Sequence, residues 1–468
     1  MAKKTVKPEV LGGFIDILPR EAIAQNALFS MISEAYEAFG FVPLDTPSME
    51  RVEVLTGGDD DFDKSIFVAK IVRGAEDRGS SDDFGEGESF GLRFDLTVPL
   101  ARAFSAHSND LPRPFKRYQI GKVFRGERQQ KGRFREFYQC DFDIVGSDST
   151  MADVEVIQVM EGVMTKLGFT EFVIRFNSRN ILNGLAEVLG CGERSNEVFR
   201  IIDKLDKIGL DGVVTELQRK PDNEWDESAL ALSEEQADKV KAFLAIKPGD
   251  NDRTMSELKD FFKGQAGVCQ KGIAELAYMI ETLRAIGVDE SHWSLDLSVA
   301  RGLGYYTGPV FETVLTDKPE LGSVFSGGRF DGLTNRFIPD SNIPAVGASV
   351  GLSRLMVAMK EKGLLPEKDN VTDVLVTVFP SAGQELLSAK TAKAIRDNGF
   401  NVELYYGQDN SLRAQFSYAA KRGIPYAVVI GPDEAKEGKL QLKDMNARNQ
   451  EVLTMAEAIA KLKGSLGK

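Results

Sequence analysis

Residues 115–146 read FKRYQIGKVFRGERQQKGRFREFYQCDFDIVG. Apolar and polar residues alternate at both ends of this run, and a basic stretch separates them, as in two antiparallel strands joined by a loop. Arg125, Arg128, Lys131, Arg133 and Arg135 fall within 11 residues, beside only Glu127 and Glu136. The two-residue period of a strand puts Arg125 and Glu127 on one face, and likewise Gln139, Asp141 and Asp143. Guanidinium groups fixed over a sheet suit triphosphate chemistry, because charge builds on the phosphoryl oxygens in the transition state. Composition alone is served equally well by a solvated basic hairpin.

Upstream, residues 21–39 read as an amphipathic helix, with Leu28, Met31, Ile32, Ala35 and Phe39 on one face. Gly40 ends it, and the chain before Pro43 and Pro47 is biased to extended form. Residues 65–72 and 89–96 are strand-like, with a Gly, Ser and Asp-rich hairpin loop over 73–88. The run Asp59, Asp60, Asp61 reads as a solvated turn, not a metal site. Downstream, residues 180–290 are helix-rich and carry no chemical motif, as an inserted module would. Strands and glycine-rich turns return over 295–351, and a helix over 352–360 closes this unit. Residues 362–370 have linker composition. Beyond them strand-like runs (373–379, 401–406, 426–431) alternate with helical ones, including the face Leu386, Ala389, Ala392 and Ile395, which predicts a small α/β domain with a largely parallel sheet.

At 468 residues the chain is long enough for several domains, and 42% apolar with 28% charged residues is the balance of a globular protein with real cores. Cys140, Cys191 and Cys269 are far apart, against both a zinc knuckle and a disulfide framework; each reads as a small buried residue. The first residues lack the apolar run of a signal peptide, and no stretch approaches the roughly 18 apolar residues of a membrane span. A soluble, cytoplasmic protein without a membrane partner is expected. The net charge of −13 is unevenly spread: 13 Lys/Arg against 11 Asp/Glu from Val371 onward make the tail +2, so the first 370 residues carry −15. Local basic patches therefore decide any RNA contact, since fields are screened beyond about 8–10 Å at physiological salt.

Two further signals stand out. Residues 300–312 read ARGLGYYTGPVFE, where Gly302, Gly304 and Gly308 let backbone approach a ligand and Arg301, Tyr305 and Tyr306 offer a cation and phenols. Tyrosine pairs in strands also occur as plain core. Residues 325–333, FSGGRFDGL, and 345–354, AVGASVGLSR, lead a glycine-rich strand into a helix with Arg354 in its first turn.

In order and context these segments resemble class II aminoacyl-tRNA synthetases. The Arg-x-Glu, loop, Arg-Phe-Arg-Glu-Phe run is similar to motif 2, Gly-Leu-Ser-Arg to motif 3, and the helix and strand over 21–47 to motif 1. Residues 301–308, RGLGYYTG, resemble the signature of histidyl-tRNA synthetases, and residues 92–97, LRFDLT, another segment of that family. The resemblance runs from residue 13 to the α/β tail, which looks like an anticodon-binding domain. It implies an α+β fold: an antiparallel-sheet catalytic domain (1–180 and 291–362) with a helical insertion (181–290), a linker (363–370) and the anticodon-binding domain (371–468). It also implies a homodimer that uses ATP with Mg²⁺ to activate histidine and pass it to tRNA(His).

By the same resemblance, Arg125 and Arg301 approach the α-phosphate from two sides and Arg133 holds the γ-phosphate. Phe137 and Arg354 sandwich the adenine, with Glu127 close to the base. Asp95, Thr97 and Gln139 hold the α-amino group, while Asp143 and Tyr306, with Tyr305 beside them, read the imidazole. Many members carry Glu where this chain has Asp95 and Asp143. Arg128 and Gln130 are candidates for the tRNA acceptor end. His107 and His292 lie outside the motifs and are expected at surface or capping positions. The alternative is a synthetase-like histidine sensor, as in the regulatory subunit of ATP phosphoribosyltransferase. Such proteins lack the tail and parts of the signatures, whereas Arg125, Arg301, Arg354 and the tail are all present here.

Overall fold

The computed structural model describes residues 6–57, 65–69, 89–127, 134–221, 229–300, 306–365, 368–379 and 384–467. It separates into two compact units, residues 1–15 with 28–365 and residues 16–27 with 366–468.

The first unit is organised by an eight-stranded sheet. Its spatial order is Val42–Pro43, Phe115–Phe124, Glu136–Val145, Ala345–Gly351, Ser323–Arg329, Pro309–Leu315, Phe172–Ser178 and Trp293–Leu295. Every neighbouring pair is antiparallel except the two at the edges. The strand pair read from residues 115–146 is its longest ladder, running from Phe115 opposite Val145 to Phe124 opposite Glu136.

One face of this sheet is dry. The helix Pro19–Ala38 ends at Gly40 (φ +80°) and presents Leu28, Ile32 and Tyr36, all fully buried. The helix Thr150–Lys166, capped by the Ser149 side chain, adds Ile157, Met160 and Val163. They close over Cys140, Phe142 and Ile144, each burial contributing about 1.5–3 kcal/mol for a large side chain. The Tyr36 hydroxyl donates to the Cys140 carbonyl at 2.8 Å and ties helix to sheet.

The described residues of 180–290 are largely helical as expected, but their apolar faces belong to this same core: Leu185, Phe243, Leu258, Phe262 and Leu276 all join it. Of the extended runs near 65–72 and 89–96, the described residues form the strands Val68–Ala69 and Phe90–Leu92, paired antiparallel beside Met49–Arg51. The loop 73–88 and Asp59–Asp61 lie outside the described residues. Cys140 and Cys269 are buried, whereas Cys191 is only half-buried. His107 caps the helix Thr97–Ala106 at its C-terminus, and His292 stacks on Phe172 with Glu161 3.1 Å away.

The second unit holds a five-stranded sheet in the order Val402–Leu404, Val374–Val376, Tyr426–Val429, Lys439–Asp444, Gln450–Thr454. The first three are parallel; the last two form an antiparallel hairpin that the alternation of strands and helices did not reveal. Among the described residues, no helix is long and apolar enough to cross a membrane.

Candidate active site

The other face of the large sheet is polar and concave. Backbone register sets its side chains in rows: Arg117, Asp143 and Gly347 stand opposite one another, then Gln119, Asp141 and Ser349, then Gly121, Gln139 and Gly351. With side chains alternating across a strand, all three rows point the same way. The members of these rows on the strands Glu136–Val145 and Ala345–Gly351 floor a cavity of about 520 Å³. Glycine at 347 is a requirement: a Cβ there would lie 2.2 Å from Asp143 Oδ1 and 2.4 Å from the Phe142 carbonyl oxygen. The next strand approaches as closely, because a Cβ on Gly327 would meet the Gly347 carbonyl oxygen at 2.1 Å.

Nine residues singled out from the sequence line this one cavity: Asp95, Thr97, Arg125, Glu127, Phe137, Gln139, Asp143, Tyr306 and Arg354. Arg128, Gln130, Arg133, Arg301 and Tyr305 lie outside the described residues.

At the cationic end, Arg125 is fixed before any ligand arrives. Its Nε donates to the Phe94 carbonyl at 3.1 Å, its Nη2 donates to Gln139 Oε1 at 3.4 Å, and its guanidinium carbon lies 5.1 Å from the Phe137 ring centre. Arg354 Nη1 donates to the Ser323 carbonyl at 2.7 Å, which sets that guanidinium beside the opposite wall.

The other end is acidic and buried. Asp95 Oδ1 accepts the Val98 amide at 3.1 Å, capping the helix Thr97–Ala106 and so placing Thr97 at its first turn. Asp141 accepts from Gln139 Nε2 at 3.2 Å. Asp143 Oδ2 lies 2.7 Å from Arg117 Nη2, with both side chains almost wholly buried; the contact lacks hydrogen-bond alignment and becomes an ion pair when Asp143 ionises. Burial pushes the Asp143 carboxyl up to about 7, and the charges of Asp141 and Asp95 add to that push while Arg117 opposes it. Burial likewise lifts Asp141 to about 6, against the pull of Arg117 and a hydrogen bond from Ser349. The Tyr306 phenol is raised by burial and by the same carboxylates, so it is a hydroxyl donor at neutral pH.

Asp141 was legible as a face-mate of Asp143 yet carried no role, and Arg117 passed unnoticed. Its only signal was parity with Gln119 and Gly121 on a strand face that reads as solvated. The face is instead covered by residues 93–96, which Arg93 clamps by donating to the Lys122 carbonyl at 2.8 Å and the Thr46 carbonyl at 2.5 Å.

A cavity with guanidinium groups at one end and carboxylates at the other suits a zwitterion joined to a phosphate ester. Residues 13–355 match the family model described as histidyl-tRNA synthetase. The chain belongs to the histidyl-tRNA synthetase family. Residues 373–465 match a second model, described as an anticodon binding domain. A histidine--tRNA ligase of Clostridium tetani is 40% identical over 99% of this chain and 100% of its own length. One from Wolinella succinogenes is 40% identical over 98% of each. Among solved structures, a histidyl-tRNA synthetase from Nostoc sp. PCC 7120 superposes with a TM-score of 0.83 at 32% identity, covering 98% of this chain and 100% of that one. A Bacillus halodurans protein described as an ATP phosphoribosyltransferase regulatory subunit/histidyl-tRNA synthetase shares the fold, with a TM-score of 0.70 at 22% identity over 89% of this chain and 97% of that one.

Proposed function

We propose that this chain is a histidine--tRNA ligase that makes histidyl-adenylate from histidine and ATP and transfers the histidyl group to the 3′-OH of tRNA(His). The observation that carries this reading is the single cavity in which the acidic and cationic ends meet at Gln139, in a chain of this family. In the first step a carboxylate oxygen of histidine attacks the α-phosphorus as the bond to pyrophosphate breaks. Histidine arrives with that carboxylate ionised, so no general base is needed, and rate comes from alignment and charge stabilisation. Arg125, held by the Phe94 carbonyl, stands where carboxylate and α-phosphate meet. Arg301 completes the grip and Arg133 takes the γ-phosphate. Phe137 and Arg354 offer the two faces between which an adenine stacks, with Glu127 beside it.

In the second step the tRNA 3′-OH attacks the histidyl carbonyl, its proton passes to a phosphate oxygen of the adenylate, and the carbonyl–phosphate bond breaks to release AMP. Asp95, Thr97 and Gln139 hold the ammonium group; Asp143, Tyr305 and Tyr306 read the imidazole. A buried polar pocket of this kind rejects side chains that leave its donors and acceptors unmatched by about 10⁴–10⁵. Glu127, a carboxylate at the exposed rim, suits an oxygen-seeking cation, whereas no group of three or more His, Cys, Asp or Glu among the described residues is placed to hold one. Magnesium would come with the triphosphate, with Glu127 as the carboxylate beside it, and would supply charge neutralisation there. Arg128 and Gln130 meet the acceptor end, and the C-terminal unit reads the anticodon. The reading includes a homodimer, supported by Val42, Met49 and Val68 exposed on the N-terminal strands, and a cytoplasmic site of action.

Exchange of labelled pyrophosphate into ATP without tRNA tests the reading. Exchange supported by histidine alone among the amino acids, and largely lost in Arg125→Ala and Arg301→Ala, is expected. Histidine binding without exchange would replace the reading with that of a sensor.

A further inference from the structure

Among the described residues, Arg117 is the most deeply buried cation beside the cavity, with no exposed surface. It does not line the cavity. Three buried carboxylates do, Asp95, Asp141 and Asp143, each no more than 3% exposed. Arg117 touches both structures that carry the acidic end. Its Nη2 lies 2.7 Å from Asp143 Oδ2 on the neighbouring strand, and the same nitrogen donates to the Leu96 carbonyl at 3.2 Å. Leu96 sits between Asp95 and Thr97. The guanidinium therefore bridges the sheet, which supplies Asp143, and the covering segment, which supplies Asp95 and Thr97. Its Nε and Nη1 make no hydrogen bond among the described residues. A buried guanidinium with idle donors is costly to keep for packing alone, and apolar side chains of similar volume usually serve stability as well.

We infer that Arg117 is a positioning residue for histidine: it holds the two walls of the amino-acid pocket in register through Asp143 and the Leu96 carbonyl, and so sets histidine affinity without acting on ATP. This rests on the function proposed above. Lysine at 117 keeps the charge but presents a compact ammonium on a flexible stem, without the rigid planar guanidinium that fixes Nη2 between both partners.

The test is a double-mutant cycle on Arg117→Lys and Asp143→Asn, read in tRNA-independent exchange with histidine and ATP varied in turn. Arg117→Gln runs in parallel and keeps the test open where a buried ammonium prevents folding. Expected results are a histidine KM raised at least tenfold in each single variant, an ATP KM within about twofold of wild type, and a double variant little worse than Asp143→Asn. Additive losses, an equal rise in both KM values, or an unchanged histidine KM would each overturn the role of Arg117 while leaving the proposed function standing. Absence of histidine-dependent exchange in the wild type would overturn both.

Discussion

Gly347→Ala adds one methyl group where the sheet leaves no room for it. On the strand Ala345–Gly351, Gly347 stands opposite Asp143, and the new Cβ would lie 2.2 Å from Asp143 Oδ1. Ordinary contact begins at 3.4 Å, so the carboxylate has to retreat by about 1.2 Å. The Phe142 carbonyl oxygen, 2.4 Å from the same Cβ, belongs to the backbone ladder and yields less easily. Overpacking of this kind costs about 1–3 kcal/mol of stability. Displacing a positioning group by about 1 Å costs on the order of 10²-fold in rate. The histidine KM should therefore rise by roughly 10–100-fold while the ATP KM changes little, since Arg354 lies on the following helix and Phe137 at the far end of the strand that carries Asp143. Pyrophosphate exchange with each substrate varied in turn reads both constants, and thermal unfolding reads the stability loss. Gly351→Ala on the same strand is the control, because its Cβ would meet nothing closer than the Val324 carbonyl oxygen at 3.5 Å. A folded Gly347→Ala protein with a wild-type histidine KM would refute the placement of Asp143 in the amino-acid pocket, and a parallel rise in the ATP KM would show general distortion instead.

Arg354→Ala should raise the ATP KM about tenfold with little effect on histidine, as loss of one stacking face implies; the same exchange assay decides, and the reverse pattern would move Arg354 to the amino-acid end. Folding stability should fall as pH rises from about 4 to 7, because over that window the folded chain keeps a proton on Asp143 that the unfolded chain, with an ordinary carboxyl near 3.8, has lost. Urea unfolding across that range should show the slope partly flattened in Asp143→Asn, and an unaltered slope would count against a protonated Asp143. Gln130→Ala should slow charging of tRNA while sparing exchange; equal loss in both assays would remove Gln130 from the acceptor end.

The strand pair over 115–146 was legible because its alternation is long and its two ends are complementary in register, leaving one pairing that buries Phe142 and Cys140. The helix over 21–39 was legible from its apolar stripe and Gly40. The hairpin Lys439–Asp444 with Gln450–Thr454 was not, since its second strand is mostly exposed and polar and offers no periodic signal. The helical segment 180–290 was recognised as helical, yet its sharing of the core with the sheet depends on contacts between residues distant in sequence, such as Leu276 with the sheet side chains. At the site, strand alternation put Arg125 and Asp143 on readable faces, and the resemblance to the family gave them their roles. Arg117 did not, because a charged residue on an alternating strand reads as solvated until a second segment covers it. What covers it, residues 93–96, is held by Arg93, whose Nη2 would lie 2.6 Å from a Cβ on Gly121. That glycine marks where two backbones meet, a fact visible only in three dimensions.

Gln139 explains how one small cavity keeps opposite charges apart. Its Oε1 accepts from Arg125 Nη2, while its Nε2 donates to Asp141 Oδ1 and, at 3.0 Å, to Ser349 Oγ. A glutamate at 139 would repel Asp141, and a lysine would repel Arg125. A neutral amide satisfies both neighbours because its acceptor and donors point in opposite directions. The cavity floor is thereby polarised along the strand, positive beside Arg125 and negative from Asp141 to Asp143. A zwitterionic amino acid lying across Gln139 gains on both sides in one orientation only, with its carboxylate toward Arg125 and its ammonium toward the acids. In the proposed reaction that orientation would deliver the attacking carboxylate to Arg125, the cation proposed to receive the α-phosphate, and would send the side chain toward Asp143 and Tyr306. Substrate polarity, more than any proton transfer, thus selects the reactive alignment, in keeping with a site whose buried acids are tuned by burial and shared counterions.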